Sequence, residues 1–387
     1  MAAITASPAS EVTRVARAYL DHASSSPLRP AALDAMLPFL HDQHGDPGRL
    51  HAEGHATRVA VEVAREQVAE AFGARPREVV FTASGTEAVN TAVWGTLARA
   101  GNGHVVTTAV EHSSVLDAVG RGALEVTTVG VDRQGRFDPH EIAAAVRDDT
   151  VLVSVQLANH EVGTLQPAAA VVEEVRGHGD VVVHVDACAA AGHVDVDFAA
   201  LGADLCSVTG HKFGGPKGAA ALLVRRGLRF PPFVVGGAQE RARRAGIENV
   251  PAIVGFGAAA AEVRGAGDAD RERALSDRLG REAVARVEGV ERFGDPVECL
   301  PHLVCLGIEG VEAEPILLAL DQRGVAVHSG SSCSSETLEP SPVLTAMGVD
   351  AERSVRASVG WSSSDADVDR FLDAFPIVVG SLRALRR

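Results

Sequence analysis

Twelve residues, Ser207-Val-Thr-Gly-His-Lys-Phe-Gly-Gly-Pro-Lys-Gly218, contain both lysines of this chain. Lysine and arginine together number 36, which leaves 34 arginines. Arginine works as a surface cation, but it stays protonated and is a poor amine nucleophile. A lysine retained against such a bias is a candidate for amine chemistry, above all for a Schiff base with a carbonyl cofactor. Two incidental surface cations are the plain alternative.

The residues around the lysines predict a constrained loop between two strands. Residues 205–208 have the composition of a short buried strand, and residues 219–224 resume as another. Between them, the glycines and proline of residues 214–218 allow a tight reversal in which the backbone can approach a ligand closely. Lys212 follows the first strand directly, so it is held still, as a covalent cofactor anchor must be.

The length and composition predict a globular protein of two domains. A chain of 387 residues can bury a large core. Its net charge of −15 argues against a nucleic acid or an anionic membrane as the main partner. The apolar runs are too short to span a bilayer, and residues 1–18 lack the apolar segment of a secretory signal, so we interpret them as a flexible leader.

Five cysteines without a CxxC pair or zinc spacing favour a reducing cytoplasm. Four of them, Cys188, Cys206, Cys299 and Cys305, have apolar neighbours and are predicted to be core residues. Cys333 instead lies among five serines and a glycine in residues 329–335. A thiol in such a segment can move and react, although an incidental exposed thiol is the alternative.

Strands and helices alternate through residues 19–263, which predicts a large domain with a mostly parallel sheet flanked by helices. After residue 264 the pattern changes to a smaller α+β domain, residues 264–387. The predicted strands are residues 78–82, 104–108, 126–131, 151–157, 180–185, 205–208, 219–224, 303–308, 325–328 and 355–359. The predicted helices are residues 30–40, 56–72, 87–98, 114–119, 139–146, 168–177, 270–287, 314–321, 342–347 and 365–385.

Polar groups follow the carboxyl ends of five of these strands, where ligands gather in open α/β sheets. They are residues 84–86, His112, Asn159, Asp186 and Lys212. The Ser-Gly-Thr turn at 84–86 opens a helix, which suits a phosphate but is also an ordinary helix cap. Asp186 suits the nitrogen of a pyridinium ring, and Asn159 suits its phenolate oxygen. His112 either stacks on the ring or caps a helix.

A metal site is the less favoured interpretation of this region. His184, Asp186 and Cys188 alternate, so their side chains could share one face of a strand. Stray ligands of this kind on a buried strand are more often structural, and we predict no metal.

Nine motifs in order along the chain resemble those of the cysteine desulfurases in the class V aminotransferase family, which use pyridoxal 5'-phosphate (PLP) on fold type I. The short cysteine loop followed by Leu338-Glu-Pro-Ser resembles the NifS/IscS-like branch. The motifs are Tyr19-Leu-Asp-His-Ala, Phe81-Thr-Ala-Ser-Gly-Thr-Glu-Ala, Glu111-His, Leu157-Ala-Asn-His-Glu-Val-Gly-Thr, His184-Val-Asp-Ala, Gly210-His-Lys-Phe-Gly-Gly-Pro-Lys-Gly, Gly236-Gly-Ala-Gln-Glu-Arg, Gly330-Ser-Ser-Cys-Ser-Ser and Arg356-Ala-Ser-Val-Gly.

This resemblance implies a role for each candidate residue. Lys212 would carry PLP and remove the Cα proton of bound cysteine, and His112 would stack on the ring. Asp186 would pair with the ring nitrogen, and Asn159 would lie near the phenolate oxygen and the substrate. The phosphate would be held by Gly85, Thr86, Thr209 and His211.

The resemblance also implies the substrate and the partners. Arg356 would bind the carboxylate of L-cysteine, and Cys333 would attack its sulfur and become a persulfide. L-Alanine would leave, and the sulfur would pass to an unidentified acceptor protein for iron–sulfur assembly, tRNA thiolation or a biosynthetic pathway. A homodimer is implied. The alternative is a selenocysteine lyase or another class V C–S lyase or aminotransferase, which would not need Cys333.

The chain departs from the family pattern at several positions. Ala189 stands where the family usually has Gln, and Ile247 stands where it has Thr. Ser24-Ser-Ser replaces the commoner Ala-Thr-Thr, and Asp46 replaces Asn. These changes affect expected cofactor contacts and leave the carbon–sulfur chemistry intact.

Overall fold

The computed structural model describes residues 17–263, 267–329 and 340–385. Its strands are β1 (Ala18–Tyr19), β2 (Val79–Thr82), β3 (His104–Thr108), β4 (Glu125–Val129), β5 (Thr150–Gln156), β6 (Val182–Asp186), β7 (Leu205–Thr209), β8 (Ala220–Val224), β9 (Val290–Phe293), β10 (Leu303–Ile308), β11 (Val325–Ala326), β12 (His328–Ser329) and β13 (Ser354–Ser358). Its helices are α1 (Pro30–His41), α2 (Ala52–Ala71), α3 (Gly85–Ala100), α4 (Ser113–Gly122), α5 (Pro139–Ala144), α6 (Ala168–Val175), α7 (Phe198–Leu201), α8 (Gln239–Ala242), α9 (Val250–Val263), α10 (Asp268–Arg286), α11 (Ala313–Gln322), α12 (Pro342–Ala346) and α13 (Asp365–Ala384).

A seven-stranded sheet with the order β2-β8-β7-β6-β5-β3-β4 forms the centre of the larger part. Within this sheet β8 runs against both of its neighbours, while the other pairs are parallel. The predicted mostly parallel sheet is therefore confirmed. Because β2 and β7 both oppose β8, the carboxyl ends of β2, β3, β5, β6 and β7 share one edge, where the predicted polar groups meet.

Helices cover both faces of this sheet, which explains why every residue of β2, β3, β6, β7 and β8 is buried. Successive side chains of a strand point to opposite faces. In β8, Leu223 packs in a cluster with residues of α2, α6 and α9, whereas Leu222 packs on the other side with residues of α3 and α4. The alternation in β8 thus divides the interior into two layers.

The C-terminal part contains a second sheet with the order β12-β13-β10-β9. Helices α10, α11 and α13 pack on it through a separate core that includes Leu279, Leu320 and Phe375. The domain boundaries predicted at residues 19 and 264 stay predictions. Two residues near the first boundary, Ala18 and Leu20, pack in this C-terminal core, and Ala18, assigned to the leader by the sequence, begins β1.

Several parts of the fold differ from the sequence prediction. The single strand predicted at residues 325–328 is wrong, because β11 pairs with β1 while β12 pairs with β13, so the chain changes sheet at Val327. Helices α7, α8 and α9 and strand β9 were not predicted. No helix among the described residues has the length and apolar character needed to cross a membrane.

Candidate active site

The segments that follow β2, β3, β5, β6 and β7 enclose one pocket of about 610 Å³, measured with its open mouth. It brings together seven of the predicted site residues and leaves Asn159 and Arg356 out of its lining. Cys333 lies outside the described residues. The lining residues are Ser84, Gly85, Thr86, His112, Ser114, Gln156, Ala158, His160, Asp186, Cys188, Ala189, Thr209, His211 and Lys212.

Helix α3 points its N-terminus into this pocket. Ser84 caps the helix by accepting a hydrogen bond from the N–H of Glu87, and the Glu87 carboxylate accepts one from Ala83. This reciprocal cap fixes the first turn. The N–H groups of Gly85 and Thr86 lie in that turn, where helical N–H groups have no partner within the helix, so they are suited to bind an anion.

Gly85 is required by its close approach to Cys188. A Cβ at position 85 would lie 2.7 Å from the Cys188 sulfur, which is too close for any side chain without movement. Burial, with the Asp186 carboxylate nearby, holds the pKa of the Cys188 thiol well above its usual range. Cys188 is therefore a protonated packing group beneath the helix terminus and no nucleophile.

Lys212 and Lys217 have different surroundings. Lys212 ends a single 3-10 turn, Gly210–Lys212, that follows β7, and it lines the pocket. Lys217 is exposed and lies beyond the glycine-rich reversal. Gly214 has φ 95° in that reversal, and a Cβ there would lie 2.5 Å from the Arg29 Cγ. The reversal therefore needs glycine, and it separates the two lysines.

Asp186 is the last residue of β6. It lies beside the 3-10 turn Gly210–Lys212, which we call the lysine turn. One of its oxygens, Oδ1, accepts a hydrogen bond of 3.0 Å from the N–H of Cys188. The carboxylate is thereby oriented, and its second oxygen is available to a ring N–H. His184, on the same strand, bonds to Ser154 and Ser207 through its two ring nitrogens. Burial lowers the pKa of His184 to about 4, so it is a neutral residue near pH 7, and both of its ring nitrogens are held by serine hydroxyls.

His112 caps α4 and also lines the pocket, and its predicted stacking on a cofactor ring stays a prediction. Its Nδ1 accepts a hydrogen bond of 3.0 Å from the N–H of Ser114. In the neutral ring the proton is therefore on Nε2. The ring meets that of His160 edge to face, with 5.1 Å between centroids.

Thr209 and His211 follow one another on the lysine turn. The Thr209 hydroxyl and the His211 Nδ1 are 2.8 Å apart. Burial, and then the charges of Lys212 and Lys217, lower the pKa of His211 to about 4. His211 is therefore neutral near pH 7, and it can offer a hydrogen bond to a phosphate without a charge of its own.

Asn159 is fully buried in the turn after β5. Its Oδ1 accepts hydrogen bonds from the N–H groups of Glu161 and Val162, and its Nδ2 donates to the Val110 carbonyl. An amide nitrogen carries two hydrogens, so the second is the group that would reach a phenolate oxygen. The predicted contact of Asn159 with cofactor and substrate stays a prediction.

Arg356 on β13 is buried behind His160. It donates to the His160 carbonyl and to the Ser24 hydroxyl, and it pairs with Asp21 at 3.1 Å. Its Nε is buried without a hydrogen-bond partner among the described residues. A buried unpaired donor is costly, and a substrate carboxylate would satisfy it.

Sequence reasoning missed five lining residues: Ser114, Gln156, Ala158, His160 and Cys188. Gln156 ends β5 and so obeys the same strand-end rule that found Asp186. His160 stood unremarked within the quoted Asn-His-Glu motif. Cys188 had been interpreted as a core residue, and its burial agrees with that although it also lines the pocket.

The donor set of the pocket fits PLP. The α3 terminus, Thr209 and His211 supply neutral donors for a phosphate, Asp186 supplies a carboxylate for a ring nitrogen, and Lys212 supplies the amine for an aldehyde. Glycine at position 85 lets the helix terminus lie against the Cys188 sulfur beside this donor set.

Comparisons with known proteins agree with this geometry. Residues 18–371 match the family model described as aminotransferase class-V. A protein of Methanosarcina thermophila named cysteine desulfurase IscS is 40% identical over 94% of this chain and 92% of its own length. A cysteine desulfurase of Cereibacter sphaeroides is 40% identical over 95% and 97%. Among solved structures, a NifS-like protein has a TM-score of 0.88 at 29% identity, covering 95% of this chain and 100% of that one.

Proposed function

The chain belongs to the aminotransferase class-V family, and on that premise we propose that it is a PLP-dependent cysteine desulfurase, which converts L-cysteine to L-alanine. The observation that carries the proposal is the placement of Lys212 and Asp186 at the ends of neighbouring parallel strands, facing one pocket with the α3 terminus. That arrangement supplies an amine, a carboxylate and a phosphate site together.

Each residue has a distinct task in this proposal. Lys212 binds the cofactor covalently and moves the proton at the substrate Cα. Asp186 holds a proton on the ring nitrogen, and Arg356 orients the substrate through its carboxylate. When bound, PLP supplies an electron sink for the pair released as the carbon–sulfur bond breaks.

Cys333 is the proposed sulfur acceptor. Its thiolate forms a bond to the substrate sulfur while the carbon–sulfur bond breaks, and the released electron pair takes up a proton as alanine forms. The product is a persulfide on Cys333, which a second protein receives. The acceptor is a protein with a reactive thiol.

The test is a product assay with the purified protein. We expect absorbance at about 400–430 nm from bound cofactor, and equimolar L-alanine and sulfide from L-cysteine in the presence of a reductant. Alanine formation from selenocysteine but not from cysteine would contradict the proposal in favour of a selenocysteine lyase.

We also propose that the protein is a homodimer. Support comes from large apolar side chains that the single chain leaves exposed near position 247: Ile247 is 66% and Val235 is 75% exposed. Trp94 and Phe233 meet edge to face at 5.7 Å and are also exposed. Such side chains are depleted on free surfaces and enriched in interfaces. Light scattering during size-exclusion chromatography measures the mass.

We propose a cytoplasmic location, supported by the cysteines. The four described ones, Cys188, Cys206, Cys299 and Cys305, are all free and buried. A persulfide mechanism also requires Cys333 to return to the thiol, which a reducing compartment favours.

A further inference from the structure

Three buried residues behind the lysine turn have no part in the chemistry above. His193 lies in the segment after β6, Glu272 on α10 and His302 just before β10, and each is no more than 3% exposed. The Nδ1 of His193 is 2.9 Å from a Glu272 carboxylate oxygen. The rings of His193 and His302 stack at 3.5 Å between centroids and 14° between planes.

The cluster ends on the backbone of Lys212. The Nε2 of His193 is 3.3 Å from the Lys212 carbonyl oxygen, and the Ser26 hydroxyl donates to the same oxygen at 2.8 Å. A carbonyl only accepts hydrogen bonds, so the Nε2 of His193 is a donor. The Nδ1 of the same ring contacts the Glu272 carboxylate, so the imidazole bridges that carboxylate and the Lys212 carbonyl.

The second donor, Ser26, is fixed by its own partners. Since its proton goes to the Lys212 carbonyl, Ser26 must accept from the His22 Nδ1, which lies 2.8 Å away. The His22 Nε2 then accepts from the Ser363 hydroxyl at 3.2 Å. Burial lowers the pKa of His22 to about 3, which agrees with this neutral ring. The Lys212 carbonyl is therefore held from two sides, by anchored donors.

A bound divalent cation is a poorer explanation of the cluster. Its two imidazoles and one carboxylate are common metal ligands, and their ligand atoms lie within 4.8 Å of one another. A metal lies in the plane of each imidazole that binds it. Two nearly parallel rings 3.5 Å apart cannot both contain one ion in their planes, so the stacked arrangement favours hydrogen bonding.

We propose that His193 is a positioning residue for Lys212, and that it fixes the lysine peptide through its bond to the carbonyl while Glu272 and His302 hold the imidazole. The inference rests on the proposed function in that Lys212 carries PLP. Glu272 and His302 come from the C-terminal part, so the cluster ties that part to the lysine turn. Catalytic groups must be held within a fraction of an ångström, and a 1 Å displacement costs about 10²-fold in rate.

The test compares three variants as holoenzymes. His193→Ala removes the donor to Lys212. We expect kcat to fall about 10- to 100-fold with a smaller change in KM for L-cysteine, and PLP release from the unreacted protein to be about tenfold faster, the effect of one lost hydrogen bond. His104→Ala is the matched control, because His104 is an equally buried histidine that bonds to Thr127 and Thr150 far from the lysine turn.

A rescue variant keeps the test informative if His193→Ala folds poorly. In H193Q/E272Q the amide of residue 193 can donate to the Lys212 carbonyl and accept from the amide of residue 272. We expect it to recover most of the loss in kcat and in PLP retention.

Three results would overturn the inference. They are equal PLP release from H193A and H104A, no recovery in the double variant, and stoichiometric zinc in the purified protein. A wild-type protein that binds no PLP would instead refute the proposed function, and this is seen before any variant is compared.

Discussion

Arg65 and Glu240 form a bidentate ion pair with two N–O distances of 2.7 Å, and both side chains are only 3% exposed. One Glu240 oxygen also accepts from the N–H of Phe81. The pair anchors a turn in which Glu240, Arg241 and Ala242 all have positive φ, a conformation that costs energy in residues other than glycine.

Removal of Glu240 should therefore destabilise the protein strongly. We expect Glu240→Ala to lower the free energy of unfolding by about 3 kcal/mol, because the buried Arg65 charge loses its bidentate partner and keeps only Glu62 and the Val79 carbonyl. Urea unfolding measures the change. Glu125→Ala is the control, since Glu125 pairs with Arg147 in the same bidentate way on the surface, where water replaces the lost partner. Equal effects of the two variants would argue against a buried pair.

Glu111 should make stability depend on pH. Burial raises its pKa to about 8, against the opposing hydrogen bonds from Thr108 and Gln156. The folded protein thus favours the neutral form of Glu111. Its contribution to the free energy of unfolding is complete below pH 4.5 and is lost as the pH rises toward 8. At pH 7 the free energy of unfolding is therefore about 3 kcal/mol lower than below pH 4.5.

The variant Glu111→Gln cannot ionise. We expect its free energy of unfolding to fall less than that of the wild type between pH 5 and pH 8. The comparison concerns this change with pH and does not depend on how stable the variant is at either pH. Urea unfolding at both pH values gives the comparison, and parallel pH profiles would show that Glu111 is ionised in the folded protein.

Lys212 should carry the cofactor, because it lines the pocket while Lys217 is exposed. Borohydride reduction followed by peptide mapping should find a pyridoxyl group on Lys212. Lys212→Ala should lose alanine formation, and Lys217→Ala should retain it as the matched control. A pyridoxyl group on Lys217 would refute the assignment.

Cys333 should be needed for sulfur transfer and not for substrate binding. We expect Cys333→Ser to bind L-cysteine with a change in the absorption spectrum while it makes almost no alanine. Cys188→Ser is a useful comparison, because Cys188 lines the pocket as a protonated thiol. Alanine production that survives in Cys333→Ser would favour a plain C–S lyase.

Ala189 and Ile247 should weaken cofactor retention. Ala189 lines the pocket and has no side-chain donor, and Ile247 is exposed where the proposed partner subunit would lie. A hydrogen bond to a charged group contributes about 1.5–3 kcal/mol, so each missing donor weakens binding about ten- to a hundredfold. We expect A189Q/I247T to keep more PLP through dialysis than the wild type. Equal retention would mean that other groups already supply the hydrogen bonds missing at positions 189 and 247.

The sequence predicts the parallel sheet well because its strands are buried on both faces. His104–Thr108 of this sheet is predicted at its observed bounds, and so is Leu303–Ile308 of the antiparallel C-terminal sheet, since each is a short run between clear turn residues. Helix α9 was missed because Gly255-Phe-Gly-Ala-Ala-Ala-Ala is apolar or small on every side, and a helix buried all round has no periodic pattern.

The site is predictable where it follows strand ends and unpredictable where it depends on tertiary packing. The strand-end rule placed His112, Asp186 and Lys212 in one pocket. Nothing in the sequence predicts the contact between His193 and Glu272, because the two residues are distant along the chain and lie in segments without any shared motif. Such contacts depend on how the C-terminal part packs against the sheet.

The pairing of β1 with β11 sets an order of events during synthesis. Ala18 lies opposite Val325 in this two-stranded sheet, and Leu20 completes the C-terminal core. Roughly 300 residues separate these partners, which a ribosome adds in about 15–60 s at 5–20 residues per second. Residues 18–20 must therefore wait, unpaired, while the cofactor pocket emerges. Arg356 reaches Asp21 only after that delay, so the site proposed for the substrate carboxylate is completed later than the cofactor pocket.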